Sequence, residues 1–432
     1  MNLLQIKLVS CVLFYQILTG IVNADRIEST EINLRKERMS IMEKYDFDTL
    51  IDRRGTYSSK WENMPAGNEP DALPLWVADM DFPTAKPILD ALHERIDKQI
   101  FGYTLYDAEI KDAVTGWFKK RYDWHVENSD LFFCPGLVTG IAMVLNILSE
   151  EGDGIIIQPP VYHLFAMKIT NNNRKVVNNP LILRDERYEI DFDDLEVKFT
   201  NPNNKGLILC SPHNPSGRVF SPEELIKIIE LAKKYNKWII SDEIHSDTLR
   251  KGVTFTPLAK LAGDYKDEVL TLTAPSKAFN IAGLKYSSIV ITKKEYQQRY
   301  TQLVTDKLHI SGINPLSAAA VIAAYTKGDD WLSQVNDYID GNVDYCMEFF
   351  TNELPKSRPI YIEGTYLFWV DLSAYESDPK ELERKMKKEA KVALNDGYIF
   401  GEEGNGFQRI NLACPRSVVK DCLERMKKAL VG

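Results

Sequence analysis

The clearest indication of the fold is the stretch Trp238-Ile239-Ile240-Ser241-Asp242-Glu243-Ile244-His245, in which an apolar run leads directly into two carboxylates and a histidine. An acid at a buried strand end needs a cationic or protonated partner. Similar short apolar runs, each ending in a turn or leading into a helical pattern, recur at Leu131–Cys134, Gly154–Ile157, Gly206–Cys210, Val269–Thr273 and Ser287–Thr292. Such strands alternating with helices predict an α/β fold with a large, mainly parallel sheet covered on both faces.

Helix signals support this interpretation and locate a second, smaller domain. Ser221-Pro222-Glu223-Glu224 combines a capping serine, a proline suited to the first helical position and a glutamate that can complete a capping box. After about Lys327 the pattern changes to a long polar helix, the apolar run Thr365–Asp371, a charged helix from Pro379 to about Asn395, a strand at Gln408–Leu412 and a helix at Ser417–Leu430. We predict a leader (1–41), an N-terminal arm with part of the small domain (42–87), a large domain that contains the main sheet (88–326) and a small α+β domain (327–432).

Composition excludes several classes of protein. Hydrophobic residues make up 44% and charged residues 27% of the 432, which excludes a disordered or collagen-like chain. The formal net charge of −9 disfavours a nucleic-acid-binding protein, since such proteins present a basic face. The six cysteines are scattered without a CxxC pair, and the six histidines form no HExxH motif. We therefore expect neither a disulfide framework nor a metal site.

The first residues allow two interpretations. Leu8–Val22 is almost entirely apolar, follows Lys7 and precedes small residues ending at Ala24, which is the pattern of a secretory signal. The run is too short for a spanning helix of roughly 20 residues, and no later stretch is apolar enough to span. Alternatively, translation starts at Met39 or Met42. Cleavage after Ala24 would leave an odd number of cysteines, which fits a reducing compartment better, so we expect a cytoplasmic protein, with secretion as the alternative if residues 1–24 are a true signal.

Polar residues gather where the predicted strands end, which is where open α/β sheets bind ligands. Gly136-Leu137-Val138-Thr139 opens a helix whose free N–H groups could hold a phosphate. Tyr162 follows Pro159-Pro160 and could present an aromatic face, and Asn214 begins an Asn-Pro-x-Gly turn. Ser276-Lys277 follows another strand, where a desolvated lysine could form a Schiff base. Individually, several of these features are ordinary turns or packed side chains.

Together these features point to one cofactor. A Schiff-base lysine at position 277, an acid at position 242 for a pyridinium nitrogen and a phosphate cup at 136–138 are the parts that pyridoxal phosphate requires. The sequence therefore predicts an enzyme that binds pyridoxal 5′-phosphate.

The order of these motifs resembles the fold-type I pyridoxal-phosphate enzymes of the aminotransferase class I/II superfamily, and the opening motifs look like the MalY/PatB-type C–S lyases, or cystathionine β-lyases. The resemblance covers about residues 42–432. It rests on Tyr45-Asp46-Phe47-Asp48, Asp52-Arg53-Arg54-Gly55, Lys60-Trp61, the run from Trp76 to Phe82, Phe101-Gly102-Tyr103, Ser211-Pro212-His213-Asn214-Pro215, the run from Asp242 to Asp247 and the run from Ser276 to Leu284. It implies a sheet of the seven-stranded type in the large domain.

The resemblance also implies roles for residues around the cofactor ring. Lys277 would hold the cofactor and then move the substrate Cα proton. Asp242 would pair with the pyridinium N–H, and Tyr162 would stack on the ring. Asn214 and His245 would face the 3′-oxygen, with Asn214 also serving the substrate.

Further implied roles concern the phosphate, the substrate and a second subunit. Arg409 would clamp the substrate carboxylate as a bidentate fork. Tyr103 would reach the phosphate or leaving group at the neighbouring subunit's site, which implies a homodimer with shared sites. Where many relatives carry an arginine eight residues after the lysine, this chain has Lys285, which keeps the charge but loses the planar fork. The phosphate would be bound by Gly136, Leu137, Val138 and Ser276, with Lys285 as a further candidate.

The implied reaction is β-elimination from cystathionine or another cysteine S-conjugate, giving a thiol, pyruvate and ammonia. An aminotransferase with the same lysine, aspartate and arginine is the nearest alternative, because the two reactions differ only after the Cα proton has left. A protein whose main role is to bind a regulator, with secondary lyase activity, is the alternative of another class. The substrate would be a small molecule of the amino-acid class; no charge pattern identifies its distal half.

Overall fold

Alternating strands and helices occupy most of the chain. The computed structural model describes residues 44–65, 67–310 and 312–432; the signal-like segment and the alternative starts at Met39 and Met42 lie outside the described residues. The strands are β1 Leu73–Pro74, β2 Leu131–Cys134, β3 Gly154–Ile157, β4 Lys175–Asn178, β5 Ile182–Arg184, β6 Arg187–Glu189, β7 Asn204–Cys210, β8 Trp238–Asp242, β9 Val269–Thr273, β10 Ser287–Val290, β11 Arg358–Ile360, β12 Leu367–Asp371, β13 Val392–Ala393, β14 Asn395–Asp396 and β15 Phe407–Asn411. The helices are α1 Ser59–Glu62, α2 Lys86–Asp97, α3 Ala108–Tyr122, α4 Leu137–Leu148, α5 Leu164–Asn171, α6 Phe192–Thr200, α7 Pro222–Lys234, α8 Leu258–Leu261, α9 Lys294–Thr301, α10 Pro315–Lys327, α11 Asp329–Glu353, α12 Pro379–Arg384 and α13 Arg416–Val431.

The central sheet has seven strands in the order β2-β10-β9-β8-β7-β3-β4. The pairs from β9 through β8, β7 and β3 to β4 are parallel, and β10 is antiparallel to both of its neighbours. The predicted mainly parallel, seven-stranded α/β sheet is confirmed. Because the parallel strands point the same way, their carboxyl ends share one edge of the sheet.

Both faces of this sheet are buried. Ile155 and Ile157 of β3 belong to one apolar core together with Val144 of α4. Ile156, between them, belongs to a second core on the opposite face together with Ile228 of α7. Successive strand residues point to opposite faces, so an unbroken apolar run is what a sheet covered on both sides requires.

A smaller antiparallel sheet, in the order β11-β12-β15-β14, carries much of the C-terminal part of the chain. The parallel pair β1–β13 links residues near position 73 with residues near position 392. Both sheets lie within the compact unit Phe47–Gly432, and the domain boundaries after positions 87 and 326 remain predictions.

Local signals in the sequence agree with the structure at some helix ends and fail at one. The predicted capping box of α7 is present: the Ser221 hydroxyl accepts from the Glu224 N–H, and the Glu224 carboxylate accepts from the Ser221 N–H. The charged helix predicted to reach about Asn395 is shorter, since α12 continues as a π-helix only to Ala390. Lys391 then adopts a left-handed φ of 53° and the chain enters β13. No helix within the described part of the chain combines the length and apolar character that a bilayer crossing requires.

Candidate active site

A cavity of about 410 Å³ lies beyond the carboxyl ends of the central strands. Its wall includes Cys210 and Asp242, which end β7 and β8, and the turn that follows β2. All of the predicted site residues except Tyr103 line it: Gly136, Leu137, Val138, Tyr162, Asn214, Asp242, His245, Ser276, Lys277, Lys285 and Arg409. The sheet topology thus brings together segments more than 250 residues apart.

Asp242 is a buried acid that ends the central strand β8. Its side chain accepts one backbone hydrogen bond, from the Ile244 N–H at 3.1 Å, and no ion pair to it occurs among the described residues. Burial raises the pKa of Asp242 to about 7, while the Ile244 N–H and the charge of Lys277 act in the opposite direction. The site therefore holds a carboxyl group that a cationic partner would stabilise in its ionised form.

Lys277 lies in the turn after β9, on the same cavity wall. Its Nζ donates to the backbone carbonyl of Ala78 at 2.6 Å. Burial lowers the pKa of Lys277 to about 8; Asp79 and Asp242 favour the ammonium, whereas Arg409 and Lys285 disfavour it. A buried lysine with a depressed pKa supplies a neutral, nucleophilic amine near physiological pH.

Residues 76–82, which we name the strap, begin at the cavity, where residues 76–78 form part of its wall, and they supply backbone acceptors to side chains of the site. Arg409 Nη2 donates to the Trp76 carbonyl at 2.8 Å, and the Tyr366 hydroxyl donates to the Ala78 carbonyl at 3.1 Å. Asn411 Nδ2 donates to the carbonyls of residues 77 and 79. The strap therefore connects the predicted lysine with the predicted carboxylate-binding arginine.

A buried ion cluster holds the far end of the strap. Lys60, whose side chain is only 1% exposed, pairs with Asp81 at 2.6 Å. Arg53 pairs with Asp79 at 2.8 Å and with Asp81 at 2.7 Å, and the indole N–H of Trp61 donates to Asp81 at 3.0 Å. Although burial opposes it, Lys60 holds the pKa of Asp81 below its ordinary value, so the Asp81 carboxylate stays ionised.

Arg409 and Asn214 contact each other, although they are 195 residues apart in the chain. Arg409 Nη1 donates to Asn214 Oδ1 at 2.8 Å. Burial lowers the pKa of Arg409 to about 10, a value at which it remains a cation at neutral pH. A guanidinium has only donors, so the amide oxygen of Asn214 faces Arg409 and its NH₂ group is turned away.

The turn after β2 has the geometry of an anion cradle. Gly136, with a φ of +113° that side-chain-bearing residues rarely adopt, precedes α4, and no side chain of the described residues caps that helix. The first N–H groups of α4 are therefore available, and the helix dipole favours an anion there. Ser276 and Lys285 line the same cavity and add a hydroxyl and a cation.

Tyr103 lies apart from the cavity. It is fully exposed, within a stretch between α2 and α3 whose apolar residues also face solvent. Because its predicted role concerns a neighbouring subunit, that role remains a prediction.

Sequence reasoning missed several residues that line the cavity. Tyr286 follows Lys285 and His163 follows Tyr162 in the sequence, but no motif identifies either of them as a site residue. Trp76 was recognised only as part of a family motif. Asn395 had no signal, because it reaches the cavity through sheet pairing with β15.

The donor set fits pyridoxal phosphate. The unpaired Asp242 suits a pyridinium N–H, Lys277 suits an aldehyde, and the uncapped start of α4 suits a phosphate. The His245 Nδ1 atom is buried and has no hydrogen-bond partner among the described residues, and burial keeps the pKa of His245 well below its ordinary value. A neutral imidazole with an unused nitrogen is suited to a polar group of a bound ring.

Comparison with known proteins agrees with this geometry. The family model described as aminotransferase class I and II matches residues 70–426. The chain is 42% identical over 386 residues to cystathionine beta-lyase PatB of Bacillus subtilis (strain 168), covering 89% of this chain and 100% of that protein.

Solved structures show the same similarity. Cystalysin from Treponema denticola, whose crystal structure contains a pyridoxal 5′-phosphate cofactor, matches with a TM-score of 0.86 and 37% identity over 90% of this chain and 99% of that chain. The pyridoxal-phosphate-bound C–S lyase from Staphylococcus hominis matches with a TM-score of 0.85 and 39% identity, with the same coverage.

Proposed function

Because the chain belongs to the class I and II aminotransferase family, we propose that it is a pyridoxal-phosphate-dependent carbon–sulfur β-lyase acting on cystathionine or a related cysteine S-conjugate. The family match and the solved structures confirm the predicted resemblance to the fold-type I pyridoxal-phosphate enzymes. With one molecule of water consumed, the products are a thiol, homocysteine in the case of cystathionine, together with pyruvate and ammonia. The observation that carries the proposal is the meeting of Lys277, Asp242 and Arg409 in one cavity of a chain this similar to a cystathionine β-lyase.

Bound pyridoxal phosphate supplies an electron sink next to the substrate Cα, which makes loss of the α-proton and of the β-thiolate feasible. Asp242 holds the ring nitrogen protonated, because its buried carboxylate needs that cation. Arg409 binds the substrate carboxylate. Lys277 would hold the cofactor aldehyde, and its Nζ would accept the substrate Cα proton.

The remaining predicted residues hold the cofactor. Asn214 would direct its amide NH₂ toward the 3′-oxygen, since its oxygen faces Arg409. Tyr162 would pack on the ring; burial raises its pKa to about 12, so it remains a neutral phenol. The start of α4, Ser276 and Lys285 bind the phosphate.

A homodimer with shared sites forms part of the proposal. Ile100, Phe101, Tyr103 and Leu105 are 74%, 56%, 107% and 78% exposed within one short segment. Contiguous exposed apolar side chains are typical of an interaction surface. If a second copy of the chain packed against this segment, the apolar side chains of the segment would be buried. Tyr103 would then lie at the partner's cavity.

We also assign the protein to the cytoplasm. Cys134, Cys210, Cys346, Cys414 and Cys422 are all buried free thiols. Unpaired thiols are typical of a reducing compartment.

The decisive experiment incubates purified enzyme with cystathionine and no keto acid. Pyruvate and free thiol should appear, and Lys277→Ala should abolish both. Lys119→Ala, at an exposed lysine in a surface ion pair, is the matched control and should retain full activity. Turnover that depends on an added 2-oxo acid would instead identify an aminotransferase.

A further inference from the structure

The register of the small antiparallel sheet places Asn395 at the active site. It begins β14, the two-residue edge strand of the small sheet, and is paired directly with Arg409 on β15. Residues directly opposite each other on antiparallel strands place their side chains on the same face. Asn395 consequently lines the same cavity as Lys277 and Asp242.

The orientation of the Asn395 amide is determined by its contact with the arginine. Arg409 Nη2 donates to Asn395 Oδ1 and also to the Trp76 carbonyl. Because the guanidinium cannot accept a hydrogen bond, the Asn395 oxygen faces it and the NH₂ group is turned away. Arg409 is thus flanked by two amides, Asn214 and Asn395, each presenting its oxygen to the guanidinium.

Donors remain unused on this side of the cavity. Asn395 Nδ2 makes no hydrogen bond with any residue that the structure describes, and Arg409 Nε is buried without a partner among the same residues. A buried donor such as Arg409 Nε normally has a partner, so it suits a ligand acceptor, and the free Asn395 amide NH₂ lies on the same side of the cavity. Arg409 remains a cation at neutral pH and makes the surroundings locally cationic, which favours an anionic acceptor.

We propose that Asn395 is a second donor to the substrate α-carboxylate, acting beside Arg409. The inference deepens the proposed function and takes from it only that the ligand is an α-amino acid. The two amides would then have different partners. The Asn214 NH₂ group would donate to the cofactor, and the Asn395 NH₂ group would donate to the substrate carboxylate. Carboxylate binding therefore depends on a residue from the short strand β14 as well as on the arginine.

The test is a binding titration of the holoenzyme, followed by the rapid change of cofactor absorbance on mixing. L-alanine offers an α-carboxylate but no β-leaving group, and L-alaninamide replaces the carboxylate by a neutral amide. For Asn395→Ala we expect L-alanine to bind ~10- to 100-fold more weakly, the range for one hydrogen bond to a charged group, and L-alaninamide to change less than about threefold. Neither ligand can undergo β-elimination, so failure of the lyase assay would leave this titration interpretable.

The isosteric variant Asn395→Asp sharpens the test, because it replaces the amide donor with a second anion. Asn395→Asp should weaken the binding of L-alanine further than Asn395→Ala does, and it should leave the binding of L-alaninamide nearly unchanged. Asn405→Ala, at an exposed asparagine outside the cavity, is the matched control and should bind both ligands normally. Equal weakening of both ligands, unchanged L-alanine binding, or loss of cofactor absorbance in Asn395→Asp would each overturn the assignment.

Discussion

Lys277 Nζ donates a 2.6 Å hydrogen bond to the carbonyl of Ala78, a residue 199 positions earlier in the chain. Ala78 is part of the strap, whose other carbonyls accept from Arg409 and Asn411. The position of the lysine therefore depends on a segment that the buried ions Lys60 and Asp81 hold in place. A substitution in this ion pair should therefore lower the free energy of unfolding and also alter the active site.

The first prediction concerns Lys60→Met. The substitution leaves Asp81 buried without its closest cation, and breaking a buried ion pair in this way costs ~3–5 kcal/mol. Urea unfolding should show a loss of this size, whereas Lys119→Met, which breaks an exposed pair, should cost at most ~1 kcal/mol. Adding Asp81→Asn should recover part of the loss, because without Lys60 the single cation Arg53 faces both Asp79 and Asp81. Equal losses for the two lysine variants would contradict the role of the cluster.

The second prediction concerns the pH dependence of cofactor uptake by the apoenzyme. Attachment of the cofactor aldehyde needs a neutral amine, and the pKa of Lys277 is lowered from 10.5 to about 8. The uptake rate, followed by absorbance, should rise as the pH approaches about 8 and level off above it. Asp79 favours the ammonium, so Asp79→Asn should move the midpoint to lower pH, whereas the surface variant Asp123→Asn should leave it unchanged. A midpoint that does not respond to Asp79→Asn would contradict this electrostatic account.

The third prediction is that Asp242→Asn stabilises the apoenzyme and weakens cofactor binding. The pKa of Asp242 is about 7 in the fold and ordinarily 3.8, so the folded state binds more protons between these values and stability falls as the pH rises through this range. Above pH 7 the free energy of unfolding is lowered by the full amount, up to ~4 kcal/mol for a pKa raised from 3.8 to about 7. The variant should therefore unfold at a higher temperature than the parent at pH 8, with little difference near pH 4.

Glu243→Gln is the control for that prediction. Glu243 is also buried, and burial raises its pKa to about 8, but it is not among the residues that line the cavity. Glu243→Gln should leave cofactor affinity unchanged, whereas Asp242→Asn should lower that affinity by at least tenfold. Equal effects of the two variants on cofactor affinity would mean that Asp242 has no special relation to the ring nitrogen.

Much of the fold and the cavity could be predicted because the relevant signals are local. An apolar run that ends in Asp242 indicates both a buried strand and the edge of the sheet where it stops, and parallel strands bring such ends together. The capping box at Ser221 is a similar case, since both of its hydrogen bonds lie within four residues.

The rest depends on contacts between distant segments. Asn395 has no local signal, since its position follows from the register of β14 on β15. The Lys277–Ala78 hydrogen bond uses a backbone carbonyl, which every residue possesses, so no side chain could reveal it. The charged helix was predicted too long for the same reason: Val392 pairs with Leu73, and that tertiary pairing prevails over helical propensity.

The last prediction tests the homodimer through Tyr103. If Tyr103 serves the partner's site, Tyr103→Ala and Lys277→Ala should each be nearly inactive alone. After the two variants are mixed and their subunits exchanged, half of the dimers carry one site with both natural residues, so activity should return to about a quarter of the parent value. If Tyr103 served the site of its own chain, or if the protein were a monomer, mixing would restore nothing. Sedimentation of the Phe101→Asp variant supplies an independent check, because a charge within the exposed apolar segment should shift the enzyme toward a monomer.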